Sequence, residues 1–234
     1  MAAVALALLA GCSSDAAPEV VRTSTSSTTT TTTVPPPDLD PLWSRTPPTS
    51  CLVVRDGDRV LYERNPDLPL VPASVIKLLV AAAAPDPSDD RIDPMLRDSD
   101  NEAARSLFAE LDDVVGTLGE RGLPVEGAVV ADGTGHDRSN RVTCRLLVAV
   151  LDERGAELDE ALPVAGRSGT LADRFVGTPV EGRLRAKTGS IRGVAALAGF
   201  AGRLTFAYVV NEVDAATATQ LQDELGHALV GRRT

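Results

Sequence analysis

Histidine, lysine, cysteine and aromatic residues are all scarce in this 234-residue chain, and each scarcity removes a class of function. The two histidines, His136 and His227, stand alone with no His-Glu-x-x-His string, which excludes a histidine-rich metal site. The three cysteines, Cys12, Cys51 and Cys144, are too few for a disulfide-stapled scaffold. None stands in the Cys-x-x-Cys spacing of zinc or dithiol sites. Aromatics make up 3% of the chain, too little for base-stacking platforms or aromatic sugar-binding surfaces. The formal net charge of −10 leaves no basic face for phosphates, so nucleic acid is not an expected partner. No run reaches 18 apolar residues, so no membrane-spanning helix is expected. What is present is 43% hydrophobic residues, enough for a packed core.

The shortage of lysine is the most informative of these. Of 23 basic residues only two, Lys77 and Lys187, are lysine, and the rest are arginine. Arginine at either place would keep the charge. What lysine adds is a compact point charge and the ability to lose its proton.

The N-terminus reads as targeting rather than fold. Residues 1–12 resemble a lipoprotein-type signal: a short apolar run, then Leu9-Ala10-Gly11-Cys12, with Cys12 as the candidate lipidation site. Residues 13–38 read as a disordered Ser/Thr/Pro-rich tether. It holds eleven consecutive Ser/Thr from Thr23 to Thr33 and then Val34-Pro35-Pro36-Pro37, with no core-forming periodicity. The folded unit is expected over residues 39–234, one domain by length.

Within it, Cys51–Arg55 and Arg59–Glu63 flank Asp56-Gly57, a hairpin signal. Helices are expected over 74–84, bracketed by Pro72 and Pro85, then over Asn101–Leu111 and Val142–Leu151. Arg183–Ser190, Val194–Phe200 and Leu204–Val210 read as three strands, and 215–230 as a closing helix with Leu221, Leu225 and Leu229 on one face. The expected class is α/β in the α+β sense: an antiparallel sheet from both chain ends, with a helical region in the middle.

Three short strings carry chemistry. In Ser74-Val75-Ile76-Lys77 a helix places an amine one turn from a hydroxyl, and a desolvated lysine can take the proton that keeps serine a weak nucleophile. Ser99-Asp100-Asn101 reads first as a helix N-cap. It also offers a second hydroxyl for proton shuttling and an amide for a substrate carbonyl. Lys187-Thr188-Gly189, followed by Ser190, offers a charge and a hydroxyl to a carboxylate, with a bare glycine where a substrate backbone could approach. Each string alone is weak. The order S-x-x-K, S-D-N, K-T-G, holding both lysines of the chain, is the combined signature of serine β-lactamases and penicillin-binding proteins.

With Pro72-Ala73, Asp132-Gly133-Thr134-Gly135, Asn140-Arg141-Val142-Thr143, Leu162-Pro163-Val164-Ala165-Gly166, Gly169-Thr170-Leu171 and Val209-Val210-Asn211, the chain resembles a family of D-alanyl-D-alanine carboxypeptidases/endopeptidases. These are the penicillin-binding protein 4 type, class C low-molecular-mass penicillin-binding proteins. The resemblance implies a β-lactamase/transpeptidase-like fold and an acyl-enzyme on Ser74, with Lys77 and Ser99 as the other catalytic residues. Asn101, Lys187, Thr188, Gly189 and Ser190 would bind substrate. It implies no metal and no cofactor, a peptidoglycan peptide ending in D-Ala-D-Ala as substrate, β-lactams as inhibitors, and an extracytoplasmic place at the cell envelope with membrane contact only through the lipid anchor. The family carries long inserted domains between its first two motifs; here only 21 residues separate Lys77 from Ser99, so the chain resembles a shortened form. Two other readings of the same motifs are a non-catalytic penicillin-binding or wall-binding lipoprotein and a serine β-lactamase. The class A form of the latter needs a Glu-x-x-Leu-Asn string that is absent between Asn101 and Lys187.

Cys51 opens the first strand and Cys144 begins the third expected helix, parts of the fold expected to lie apart. Both are expected as free, buried thiols rather than a disulfide.

Overall fold

The computed structural model describes Met1, Ala2 and residues 36–231. Cys12, and the tether up to Pro35, lie outside the described residues. Among the described residues no helix is long and apolar enough to cross a membrane.

After a short helix α1 (Asp40–Trp43), β1 (Ser50–Asp56) and β2 (Arg59–Arg64) form the expected hairpin. The middle of the chain is helical: α2 (Lys77–Ala83), α3 (Ile92–Arg97), α4 (Asn101–Phe108), α5 (Val114–Glu120), α6 (Cys144–Glu153) and α7 (Gly155–Ala161). Then come β3 (Leu184–Ile191), β4 (Val194–Ala201), β5 (Leu204–Asn211) and the closing helix α8 (Ala215–Val230). The sheet is antiparallel throughout, in the order β2-β1-β5-β4-β3, so both chain ends build it and β3 is the edge strand, its first half bridged by Val164.

The sequences of β4 and β5 are almost continuously apolar because both faces of the sheet are covered. One face carries Cys51, Val53, Ala196, Ala198, Ala207 and Val209 into a core shared with α2 to α7. The other carries Leu52, Val54, Leu197, Phe206 and Tyr208 into a core shared with α8. The period-2 alternation sorts the side chains of each strand between these two layers.

Two expectations are corrected. The helix expected over 74–84 begins as a 3-10 turn, Ala73–Ile76, and becomes α-helical only at Lys77. In a 3-10 turn residues three apart eclipse each other, which brings Lys77 beneath Ser74 more directly than an α-helix would. The second correction is the disulfide: Cys51 and Cys144 are bonded, with Cα atoms 5.9 Å apart. The strand and helix were expected to be remote. However, α6 lies on the face of β1 and β5 to which Cys51 points, and Cys144 opens the first turn of α6. Ninety-three positions of sequence therefore close into one covalent loop.

Candidate active site

The three motifs meet at one end of β3. Ser74 lies in the 3-10 turn, with Ala73 before it at a φ of 49°, a left-handed conformation costly for a residue with a side chain. Two glycines permit this entry. A Cβ on Gly135 would lie 2.1 Å from the Ala73 carbonyl oxygen. One on Gly189 would lie 2.7 Å from the Pro72 oxygen and 3.2 Å from the Ser74 nitrogen. The bare β3 backbone therefore runs directly against the N–H of Ser74.

Ser99-Asp100-Asn101 bears out its capping reading. Asp100 is the N-cap of α4 and accepts from the N–H groups of Glu102 and Ala103. Ser99, at a φ of 60°, and Asn101 are thereby turned toward the lysines. Lys77 is fully buried. Its Nζ has four acceptors within hydrogen-bond reach for its N–H groups: Ser74 Oγ at 3.1 Å, Ser99 Oγ at 3.4 Å, Asn101 Oδ1 at 2.8 Å and the Thr134 carbonyl at 3.0 Å. Lys187, also fully buried, donates from the other side to Ser99 Oγ at 2.9 Å and to the Thr188 carbonyl at 2.9 Å. One hydroxyl thus stands between two amines. Thr188 and Ser190 reach the surface, and the Thr188 hydroxyl bonds that of Thr170 at 2.7 Å.

Burial sets the electrostatics. Desolvation lowers Lys77 to about 8, against the opposing charges of Asp132 and Asp100. Desolvation lowers Lys187 further, to about 7, with the charge of Lys77 adding to the effect. Among the described residues no carboxylate compensates Lys187. With two amines around one oxygen, the charge of each disfavours the charge of the other.

The residues that hold the motif side chains in place lie in strings that carried the resemblance but had no role of their own. The Thr134 carbonyl accepts from both Ser74 Oγ, at 3.2 Å, and Lys77. Its loop is organised by Asp132, which takes the Asn140 side chain at 2.6 Å, the Gly135 N–H at 3.0 Å and the Thr134 hydroxyl. Burial alone would push the Asp132 carboxyl up; the hydrogen bonds from Thr134 and Asn140 and from backbone N–H groups hold it below its ordinary range. Asn211, at the end of β5, accepts the Val71 N–H at 3.0 Å and donates to the Val71 carbonyl at 3.0 Å, three residues before Ser74.

Residues 85–230 match the D-Ala-D-Ala carboxypeptidase 3 (S13) family. The chain belongs to this family. A D-alanyl-D-alanine carboxypeptidase from an Actinomadura species is 38% identical over 128 residues, which is 45% of this chain and 24% of the relative. A crystal structure of penicillin binding protein 4 from Haemophilus influenzae, complexed with a β-lactam, superposes with a TM-score of 0.54 and 27% identity, covering 60% of this chain and 41% of that one. A class A β-lactamase from Bacteroides cellulosilyticus, at 17% identity, shares the fold with a TM-score of 0.63 over 82% of this chain and 94% of that one. The chain thus spans about a quarter to two fifths of the length of the Actinomadura and Haemophilus relatives, and its fold is the one its motifs implied.

Proposed function

We propose that this chain is a serine-type D-Ala-D-Ala carboxypeptidase acting on peptidoglycan stem peptides through an acyl-enzyme on Ser74. The observation that carries the reading is a buried lysine, lowered to about 8, within hydrogen-bond reach of two serine hydroxyls, one of which also bonds the second buried lysine. Arginine, the basic residue everywhere but at 77 and 187 among the Lys and Arg positions, could not act as that base near neutral pH.

In this reading Ser74 Oγ attacks the carbonyl of the terminal D-Ala-D-Ala bond as Lys77 takes its proton. The backbone N–H groups of Ser74 and Ser190 stabilise the oxyanion, each worth roughly 3–4 kcal/mol. Asn101 gives its Oδ1 to Lys77, which leaves its NH2 for the acyl-side amide carbonyl. Lys187 and Thr188 hold the terminal carboxylate. Lys77 returns the proton through Ser99 to the departing amine of D-alanine. Water then cleaves the ester and regenerates Ser74. β-Lactams would acylate Ser74 by the same route. The lipid anchor at Cys12 would place this chemistry outside the cytoplasm within reach of the wall.

The test is incubation with a labelled penicillin and, in parallel, with a peptide ending in D-Ala-D-Ala. Label on Ser74, absent in Ser74→Ala, with release of D-alanine, is the expected result. A chain that takes up label but releases no D-alanine is a penicillin-binding scaffold, and one that takes up none is not a serine acyl-enzyme. Release of the protein from membranes by Cys12→Ala, with unchanged acylation, checks the anchor.

A further inference from the structure

We propose that segment 163–171, laid along the first half of β3, ends the substrate site on its leaving-group side, and that Thr170 on this segment is a specificity-determining residue for a free terminal carboxylate. The inference rests on the peptidase reading and deepens it to the length of the leaving group.

That reading sets the direction of the substrate. Its scissile carbonyl lies at Ser190 and its terminal carboxylate at Thr188, so it runs toward its C-terminus as β3 is followed back toward its start. The backbone groups of alternate β3 residues face the outer edge of the sheet. In the first half of the strand they are taken. The Leu184 carbonyl accepts the Ala165 N–H at 2.9 Å, and the Ala186 N–H donates to the Pro163 carbonyl at 3.1 Å, with Val164 bridged to Arg185. By the same alternation Thr188 and Ser190 come next on this edge, and among the described residues no strand or bridge pairs with them there. A peptide added to the edge can lie along these two residues. Beyond them its path is filled by main chain.

The segment is held at several points. Leu171 is fully buried, and its carbonyl accepts the Gly166 N–H at 2.9 Å. Ser168 Oγ accepts the Val164 N–H at 3.1 Å. Gly169, at a φ of 57°, passes so near the chain that a Cβ on it would lie 2.2 Å from the Arg97 carbonyl oxygen. Arg97 stands two residues before Ser99. The segment therefore braces the approach to the second motif while Thr170 touches the third.

Thr170 is exposed and Thr188 half-buried, and their hydroxyl oxygens are 2.7 Å apart. Each hydroxyl carries one proton, so a pair joined by one hydrogen bond keeps one O–H for a third group. Among the described residues nothing accepts it. A carboxylate arriving at Thr188 is such an acceptor, and its charge makes the stronger bond. A chain continuing through that carboxyl loses the charge and adds bulk where 163–165 already lies. The limit thus falls on the carboxyl end of the leaving residue.

The full chain, Thr170→Val and Thr170→Ser are compared on three substrates: a blocked D-Ala-D-Ala dipeptide, its C-terminal amide, and the same dipeptide prolonged by glycine through its carboxyl. Acylation of Ser74 by a labelled penicillin and by the methyl ester of its carboxyl is measured alongside. Wild type should cleave the free dipeptide fastest and the amide at a higher kcat/KM than the prolonged peptide. Thr170→Val should lower the ratio of acid to ester acylation at least about tenfold, one hydrogen bond to a charged acceptor, and raise the dipeptide KM similarly with little change in kcat. Thr170→Ser should keep the wild-type ratio. Acid and ester slowed alike in Thr170→Val, or neither slowed, overturns the role of Thr170. A prolonged peptide cleaved as well as the amide by wild type overturns the closed end of the site. Both results leave the peptidase reading intact. A wild-type chain that takes up no label and cleaves none of the three overturns that reading and the inference with it.

Discussion

Replacing Lys187 with methionine should stabilise this protein and abolish peptide turnover. The side chain is fully buried and meets two neutral acceptors, Ser99 Oγ and the Thr188 carbonyl, but no carboxylate. Its ordinary value of 10.5 falls to about 7 in the fold. That difference corresponds to about 5 kcal/mol, the extent to which the fold disfavours the charged amine when pH lies below both values. Methionine keeps the length and apolar character of the stem. It leaves Ser99 with Lys77 as a partner and orphans one lone pair of the Thr188 carbonyl, at a cost of about 1–2 kcal/mol. The net expectation is a gain of about 3 kcal/mol at pH 6, roughly 5–10 °C in Tm for a domain of this size. The pH dependence carries the diagnosis. Between about 7 and 10.5 the lysine is neutral when folded and charged when unfolded, so the unfolded state binds the extra proton and the wild type gains stability as pH rises. The advantage of the methionine variant should therefore shrink by up to about 1.4 kcal/mol per pH unit above 7. Differential scanning at pH 6, 8 and 9 reads this directly. A variant less stable than wild type at pH 6, or an advantage that does not change with pH, would refute the argument that desolvation governs Lys187.

Lys77→Arg should lower acylation of Ser74 by labelled penicillin at least about a thousandfold, because less than about 10⁻⁵ of an arginine is neutral at pH 7. The wild-type rate should climb through about pH 8 as Lys77 loses its proton; a variant acylated at the wild-type rate would remove Lys77 as the base. Asn211→Leu deletes both hydrogen bonds to Val71 and should cost about 1–3 kcal/mol in denaturant unfolding while slowing acylation, since Ser74 follows three residues later. Unreduced protein with Cys12 replaced should show no free thiol on unfolding. Cys51→Ala with Cys144→Ala should lose about 4–5 kcal/mol on the loop-entropy scale, and an unchanged urea midpoint would contradict it.

The parts of the fold legible in the sequence are those whose signals are local. Asp56-Gly57 marks a hairpin, the apolar runs of β3 to β5 mark buried strands, and Leu221, Leu225 and Leu229 mark the inner face of α8. Helices α3 and α5 left weaker traces. Pro94 stands in the first turn of α3, where a missing N–H costs nothing, yet it gives the acidic stretch the look of a loop. Gly116 and Gly119 give α5 a poor intrinsic propensity that packing of Val114 and Leu118 overrides. The motif side chains Ser74, Lys77, Ser99, Asn101 and Lys187 do converge as their order implied. The Thr134 carbonyl could not be read in advance, because every residue carries one and only the fold selects which it uses. The disulfide was illegible for a related reason: whether Cys51 and Cys144 meet depends on α6 crossing the face of β1, which no local pattern encodes.

Those illegible contacts explain how a weak four-residue string is built into a candidate site. Leu70 is held by both backbone hydrogen bonds to Val142, and Val71 by the Asn211 side chain from β5. Pro72 and Ala73 are pressed by Gly189 and Gly135, whose missing side chains make the approach possible. Val142 in turn precedes the Thr143 cap of α6, and Cys144 bonds that helix covalently to β1. The left-handed backbone at Ala73 and Ser99 persists only because the surroundings overdetermine it. Isolated, Ser74-Val75-Ile76-Lys77 would be a solvated helix start with a charged lysine. What lowers that lysine is burial beneath loop 132–140, α4 and β3 together, so its chemistry belongs to the closed fold rather than to the motif.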